Sequence, residues 1–170
     1  MRRSLAPLAA LFLLCAAGSA GAANGPVMGN DSHLPVPRFA SLKTEGANGR
    51  RGPSETQPVQ WVYQHVDMPL MITGESGSWR RVRDPDGAET WMHAQNLTTR
   101  RTAVIRASHE VAMRREPKND ARTAAYLAPG VVGAITGCDG TWRRLAVGGH
   151  VGWVNQSALW GADASCPTAG

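Results

Sequence analysis

A ten-residue pattern that occurs twice in this 170-residue chain limits what the chain can fold into. Residues 73–82 read TGESGSWRRV, and residues 136–145 read TGCDGTWRRL. Each copy is followed by a glycine-bearing turn and then by a second tryptophan, Trp91 in the first copy and Trp153 in the second. Landmarks that recur in the same order indicate a repeated structural unit. Because two copies are too few for a solenoid, the repeat predicts two small domains.

Each copy has the sequence pattern of short β-strands joined by tight turns. Residues 79–83 alternate, residues 84–87 (DPDG) have turn composition, and residues 89–93 resume the strand pattern. A turn between two such runs predicts a hairpin. No window shows a sustained apolar period of 3.6 residues, so no long helix is expected. Short strands at regular spacing predict an all-β fold of two small β-barrels in tandem.

The tryptophans at matched positions are the largest apolar side chains available to each predicted domain. A tryptophan buries a large apolar area, and a domain of about 60 residues has few other residues of that size to use. We therefore expect the matched pairs to close the two cores. The predicted core residues are Trp79, Trp91, Trp142 and Trp153.

The first 22 residues have the composition of a secretory signal. A basic start, an apolar run over residues 5–17 and small residues up to Ala22 follow one another in the order that such signals use. The apolar run is shorter than the ~20 residues of a membrane-spanning helix, although a membrane anchor is the alternative interpretation. We predict cleavage near Ala22, a periplasmic or secreted bacterial protein, and no membrane span after cleavage.

Removal of the leader would leave two cysteines, Cys138 and Cys166. Two cysteines in an exported protein usually pair, and a bridge closing about 28 residues contributes about 3–4 kcal/mol in the chain-entropy estimate. The alternative is a reactive thiol at Cys138 with His150 as its base. We predict the structural disulfide.

The basic residues argue against a nucleic-acid partner. The chain has 18 Lys+Arg against 13 Asp+Glu, and most of its arginines fall in adjacent pairs. Strand alternation sends the two members of a pair to opposite faces, which breaks up a phosphate-binding stripe. A mildly basic exported chain is compatible with anionic polymers of the cell surface. The five histidines show no zinc spacing, so we predict no metal, no cofactor and no catalytic residue.

Aromatic residues outside the repeated positions are candidates for a binding groove. Trp61, Tyr63 and Tyr126 could hold an extended peptide or glycan, as aromatic-lined grooves hold peptides. Arg50 and Arg114 could pair with carboxylates of a peptide stem. The alternative for both arginines is a solvated charge on a strand or turn.

Several segments resemble the bacterial SH3-like (SH3b) domain family, closest to its exported tandem form. They are residues 48–54 (NGRRGPS), 79–87 (WRRVRDPDG) and 91–93 (WMH). The resemblance covers about residues 38–160 and departs from the family pattern at Gly49, where an aliphatic residue is usual. It implies small SH3-like barrels with a binding or targeting role at the cell wall, and no catalytic activity by itself.

These observations predict the following organisation. Residues 1–22 are the signal peptide, 23–37 a linker, 38–99 and 100–161 two SH3-like domains, and 162–170 a tail tied by the disulfide. The predicted function is non-enzymatic binding or scaffolding in the bacterial envelope, with peptidoglycan or an envelope peptide as partner. The alternative is a cell-wall hydrolase or thiol enzyme that uses Cys138.

Overall fold

The computed structural model describes residues 27–163, which form a short hairpin and two seven-stranded sheets. The hairpin pairs β1 (Val27–Met28) with β2 (Pro35–Val36). The first sheet contains β3 (Arg38–Leu42), β4 (Ala47–Arg50), β5 (Val59–Tyr63), β6 (Pro69–Ser76), β7 (Trp79–Arg83), β8 (Glu89–His93) and β9 (Leu97–Thr98). The second sheet contains β10 (Thr102–Ile105), β11 (Val111–Arg114), β12 (Thr123–Leu127), β13 (Val132–Asp139), β14 (Trp142–Val147), β15 (His150–Asn155) and β16 (Leu159–Trp160). One-turn 3-10 helices, Ala94–Asn96 and Gln156–Ala158, precede β9 and β16.

The two sheets have the same topology. Their strand orders are β5-β4-β8-β7-β6-β3-β9 and β12-β11-β15-β14-β13-β10-β16, so every strand has its equivalent seven strands later. The pairing is antiparallel throughout, and the irregularity between Ile72 and Gly74 recurs between Ile135 and Gly137. The predictions of an all-β fold and of a repeated unit are confirmed.

Each unit has its own apolar core, and tryptophan is not part of either. The strands alternate, so Val82 and Met92 point inward in the first unit while Trp79 and Trp91 point outward. All four matched tryptophans are only half-buried, and the prediction that they close the cores is therefore wrong. Smaller side chains fill the cores instead. The main core residues are Leu42, Leu70, Ile72, Val82 and Met92 in the first unit and Ile105, Met113, Leu127, Leu145 and Val154 in the second.

At one matched pair of core positions, the two units place the small and the large residue on opposite strands. Strand pairing makes Gly49 equivalent to Met113 and Thr90 equivalent to Gly152. A Cβ atom on Gly49 would lie 2.6 Å from Thr90 Oγ1 and 2.8 Å from Tyr63 Cε2, whereas one on Gly152 would lie 2.6 Å from Met113 Cγ. Each unit thus has one glycine and one larger residue facing each other. This exchange accounts for the departure from the family pattern at Gly49.

The segment predicted as a linker contains the β1–β2 hairpin and is bound to the first sheet. Glu75, near the end of β6, accepts hydrogen bonds from Asp31 N at 3.1 Å, Ser32 N at 2.9 Å and Ser32 Oγ at 2.6 Å. The Arg38 guanidinium pairs with the same carboxylate at 2.7 Å, and only 1% of the Glu75 side chain is exposed. Burial raises the pKa of Glu75, but the hydrogen bonds from Ser32 and Arg38 outweigh it and lower the pKa to about 2.

Buried polar and aromatic contacts join the two units. Residues 99–101 are the whole connection between β9 and β10. The hydroxyl groups of Ser41 in the first unit and Thr102 in the second lie 2.6 Å apart, and both residues are buried. The rings of Phe39 and Trp160 meet edge to face, with centroids 5.1 Å apart. The chain therefore passes from one unit to the next through a short, packed joint.

Two predicted features fall wholly or partly outside residues 27–163. The signal peptide predicted for residues 1–22 lies outside them, and so do residues 164–170, with Cys166. Among the described residues, no helix has the length and apolar character needed to cross a membrane.

Candidate functional site

A polar pocket of about 290 Å³ lies on the outer face of the first unit. Its walls include Asn48 and Arg50 from β4, Trp79 from β7 and His93 from β8. These strands are neighbours in the order β4-β8-β7, although β4 and β8 are far apart in sequence. Strand alternation brings the four side chains to one face, because the positions next to Asn48, Arg50 and His93 are buried and Trp79 stands opposite His93.

Trp79 and His93 form one wall of this pocket. They stand opposite each other on β7 and β8, and their rings meet edge to face with centroids 5.4 Å apart. The Gln95 backbone N–H donates a hydrogen bond of 3.3 Å to His93 Nδ1, which fixes the ring at the start of the 3-10 turn. In the neutral ring this bond assigns the proton to Nε2, which is then a donor. The wall thus combines an aromatic surface with a nitrogen held in a fixed orientation.

Charged groups of both signs line the rest of the pocket. Arg50 Nη1 donates to the Gln57 carbonyl oxygen at 2.8 Å, which ties the guanidinium to the loop that follows β4. Glu45 and Glu55 are also in the lining. A guanidinium has five N–H donors, so this one bond leaves most of them for other acceptors. The pocket thus places a guanidinium, two carboxylates and several amides around one aromatic wall. This combination suits a polar ligand that carries both a positive and a negative group.

The second unit repeats the scaffold of this site with different chemistry. Arg114 Nη1 donates to Ala121 O and Thr123 Oγ1, each at 3.0 Å, as its equivalent Arg50 does to its own loop. Trp142 stands opposite Asn155, which takes the place of His93. Asn155 Oδ1 accepts a hydrogen bond from Ser157 N at 3.0 Å and so keeps the capping role, but an imidazole is replaced by an amide. The two units therefore present related faces that differ in what they can recognise.

The residues predicted for a binding groove do not come together. Of the predicted residues, Arg50 lines the pocket. Trp61 is 56% exposed on β5, at the end of the first sheet. Tyr126 is 66% exposed on β12, at the end of the second sheet and thus in the other unit with Arg114. Sequence reasoning missed Trp79 and His93 as pocket residues; the alternation of β7 and β8 places both on one face but does not say whether that face is inside or outside.

Tyr63 is a core residue, which corrects its prediction as part of a groove. Only 6% of Tyr63 is exposed, and its hydroxyl lies 3.3 Å from both Asp84 Oδ2 and Thr90 Oγ1. Burial raises the pKa of the phenol. Gly49 leaves room for the Tyr63 ring, because a Cβ atom on residue 49 would lie 2.8 Å from Tyr63 Cε2.

Two larger pockets, of about 430 and 440 Å³, lie where the units meet, and another of about 330 Å³ lies beside Cys138 and Arg143 in the second unit. The charged lining of the first is already engaged within the chain. Arg38 pairs with Glu75 at 2.7 Å, and Arg101 pairs with Asp163 at 2.5 Å. The second is lined mainly by apolar side chains and backbone, including Val66, Met68 and Val104. The pockets of about 430 and 440 Å³ are therefore features of the joint.

Cys138 lies on β13 and is disulfide-bonded. Its predicted partner Cys166 lies outside the described residues, so the pairing itself stays a prediction. Within residues 27–163, no group of three or more His, Cys, Asp or Glu side chains is arranged to hold a metal ion.

Comparison with known proteins gives one family match. A family model described as a bacterial SH3 domain matches residues 43–98 and 107–161. No curated protein matches the chain. Among solved structures, the chain is similar to NlpC2 and NlpC1 from Trichomonas vaginalis, at 18% and 19% identity and a TM-score of 0.31 for each. These alignments cover 73% and 78% of this chain but 48% of each of the others, so this chain spans about half the length of those proteins.

Proposed function

Because the chain belongs to the bacterial SH3 domain family, we propose that it is a non-enzymatic binding or scaffolding protein of the bacterial envelope. The proposed ligand is peptidoglycan, recognised through its peptide stem in the outer-face pocket of the first unit. The observation that carries the proposal is the wall of Trp79 and His93 beside Arg50 and two carboxylates. The proposed location is the periplasm or the cell exterior, reached through the signal-like leader of residues 1–22.

The lining of the pocket supports a short peptide as the group that is bound. A stem peptide joined to a glycan carries free carboxylates and amines within a few ångströms of each other. Arg50 is placed to receive a carboxylate, and Glu45 and Glu55 are placed to receive an amine. The pocket volume of about 290 Å³ suits a few residues rather than a long chain.

Sedimentation with purified sacculi tests this proposal. We expect the full-length mature protein to sediment with sacculi at low salt, and Trp79→Ala to lower the apparent affinity about tenfold through loss of the aromatic wall. His93→Ala should also weaken binding through loss of a fixed donor. Bound fractions are measured against sacculus concentration, with thermal melting to verify that each variant is folded.

Trp61→Ala is the matched control, because Trp61 is an exposed aromatic residue of the same unit that does not line the pocket. We expect it to bind as the wild type does. Wild-type protein that stays entirely in the supernatant at low salt would show that the ligand is wrong. An equal loss for Trp61→Ala and Trp79→Ala would show that the pocket is not the site.

A count of free thiols separates this function from the alternative thiol enzyme. We expect no free thiol per mature chain under denaturing, non-reducing conditions, and a peptide joining Cys138 to Cys166 in a non-reducing mass-spectrometric map. The disulfide bond at Cys138 supports this expectation. A nucleophilic thiol needs a reduced cysteine, so one titratable thiol per cysteine would instead support the enzyme.

A further inference from the structure

A tryptophan stands between two arginines on the outer face of each unit. In the first unit, Trp91 on β8 is opposite Arg50 on β4 and opposite Arg81 on β7. Residues directly opposed on antiparallel strands share a face, and two strand spacings place the two arginine backbones about 10 Å apart. The second unit has the same arrangement. We call these two sets, Arg50–Trp91–Arg81 and Arg114–Trp153–Arg144, the Arg–Trp–Arg rows.

The arginines of the rows have no carboxylate partner within residues 27–163. Arg83, which is on the same strand and face as Arg81, pairs with Glu89 at 2.7 Å. Arg38, Arg100 and Arg101 also have a carboxylate within 4 Å. None of the four row arginines does so in the described part of the chain. Within the described residues, both rows therefore hold arginines that form no ion pair, although Glu45 and Glu55 line the same pocket as Arg50.

Neutral acceptors hold three of these four guanidinium groups in place. Arg81 Nε donates to Thr73 Oγ1 at 3.0 Å, and Arg50 and Arg114 donate to loop carbonyl oxygens at 2.8 and 3.0 Å. A carbonyl or hydroxyl oxygen orients a guanidinium without neutralising its charge. Each of these three groups keeps further N–H donors in a fixed direction, which suits bidentate pairing with an acid.

We propose that the two Arg–Trp–Arg rows bind an anionic glycan, a chain of sugars that bears carboxylate or phosphate groups. The arginines pair with acidic groups on either side of the tryptophan. The half-buried tryptophan offers its remaining ring surface to the apolar face of a sugar between them. This surface goes beyond the pocket for a peptide stem, with which it shares Arg50 alone.

The position of the rows favours a glycan over other anionic polymers. The central strand of each row, β8 or β15, is paired on both sides, so its backbone has no free edge to which a peptide strand can add. Arg80 and Arg143, the neighbours of Arg81 and Arg144, point to the opposite face, and Arg83, on the same face as Arg81, is paired with Glu89. Unpaired basic charge therefore does not continue along the strands as a nucleic-acid backbone requires.

Binding to defined polymers tests the proposal. The full mature chain is titrated with polygalacturonate, phosphorylated dextran and unmodified dextran by calorimetry at low and high salt. We expect binding to polygalacturonate, to phosphorylated dextran or to both, no binding to unmodified dextran, and weaker binding as salt rises. The charged polymer that binds identifies the acidic group as carboxylate or phosphate.

Matched substitutions assign the binding to the rows. We expect the double variant Arg81→Gln/Arg144→Gln to bind the charged glycan about tenfold more weakly, since each substitution removes a charge-assisted hydrogen bond. Arg83→Gln removes the same charge from the same strand and face but from a residue that is already paired, and it should bind like the wild type. Both arginines of the double variant are exposed, so thermal melting should be unchanged.

Three outcomes would overturn the proposal. They are equal binding of unmodified dextran, equal losses for Arg83→Gln and the double variant, and tighter binding of polyglutamate or single-stranded DNA than of either charged glycan. The two sites share Arg50, but the substituted residues do not overlap: Arg81 and Arg144 lie outside the pocket lining, and Trp79 and His93 lie outside both rows. Failure of one proposal can therefore be told from failure of the other.

Discussion

Replacing Gly152 by threonine, the residue at the equivalent position of the first unit, is expected to lower the free energy of unfolding by about 3 kcal/mol. A Cβ atom at Gly152 would lie 2.6 Å from Met113 Cγ and 2.7 Å from the Arg114 carbonyl oxygen. The methionine can adjust, but the carbonyl oxygen belongs to the β11 backbone and cannot move without disturbing the sheet. Chemical denaturation followed by tryptophan fluorescence measures the change.

Two further variants make this result specific to packing. Gly137→Ala, also on a strand of the second unit, places its Cβ 3.7 Å from the nearest atom of Arg144 and should change stability by less than about 1 kcal/mol. Adding Met113→Gly to Gly152→Thr recreates the Gly49 and Thr90 combination of the first unit, and should recover part of the loss. A Gly152→Thr variant as stable as the wild type would contradict the packing argument.

Replacing Glu75 by glutamine is expected to cost about 2 kcal/mol at neutral pH. The carboxylate is 1% exposed and accepts from Asp31, Ser32 and Arg38. The glutamine amide has the same shape and keeps one acceptor oxygen. Its NH₂ group is itself a donor, so the N–H or O–H groups that faced the second carboxylate oxygen lose their acceptor. The variant should therefore loosen the β1–β2 hairpin from the first unit, which hydrogen exchange of residues 29–34 measures beside denaturation.

The cost of the Glu75 change should depend on pH in a defined direction. The folded-state pKa of about 2 lies below the ordinary value of 4.5, so the carboxylate contributes stability that is fully present above about pH 4.5. That contribution is lost as the pH falls from 4.5 toward 2, and the wild type and Glu75→Gln should converge there. Glu89→Gln is the control, because its partly exposed pair with Arg83 contributes less than about 1 kcal/mol. A constant difference between wild type and Glu75→Gln from pH 7 to pH 2.5 would refute this assignment.

The repeat could be predicted from the sequence because it consists of local patterns, namely strand alternation and turn composition. The hairpin of β7 and β8 follows from the alternation of residues 79–83, the turn at 84–87 and the strand pattern after it. The same pattern 63 residues later carries the second hairpin. Since both signals lie within about 15 residues of chain, no long-range contact had to be known.

The face on which the tryptophans lie was not readable in the same way. Period-two alternation separates two faces but does not say which one is inside. Size argued for Trp79 and Trp91, whereas the structure buries Val82 and Met92 and leaves both tryptophans on the outer face. The apolar residues of β3 and β6, including Leu42 and the buried Ile72, already fill the interior. A unit this small has no room for two indoles in addition.

The candidate pocket depended on contacts between segments distant in sequence. Arg50 was chosen for its charge, but the pocket residues Trp79 and His93 are on β7 and β8, which follow β5 and β6 in the chain. Tyr63 was placed in a groove as an aromatic residue outside the repeat, yet the missing side chain of Gly49 makes space for it inside. Neither of these two contacts can be inferred from a single sequence, because no local pattern links the residues that make them.

The first unit has glycine on β4 (Gly49), whereas the second has it on β15 (Gly152), and this difference bears on how a duplicated chain avoids misfolding. Two sheets of identical strand order in one polypeptide invite exchange of equivalent strands, a known failure of repeat proteins. If β11 entered the first sheet in place of β4, Met113 would collide with Thr90 and Tyr63. If β4 entered the second sheet, Gly49 would face Gly152 across an empty space. Divergence at one pair of positions thus makes each half reject the other's strand while the shared topology is kept.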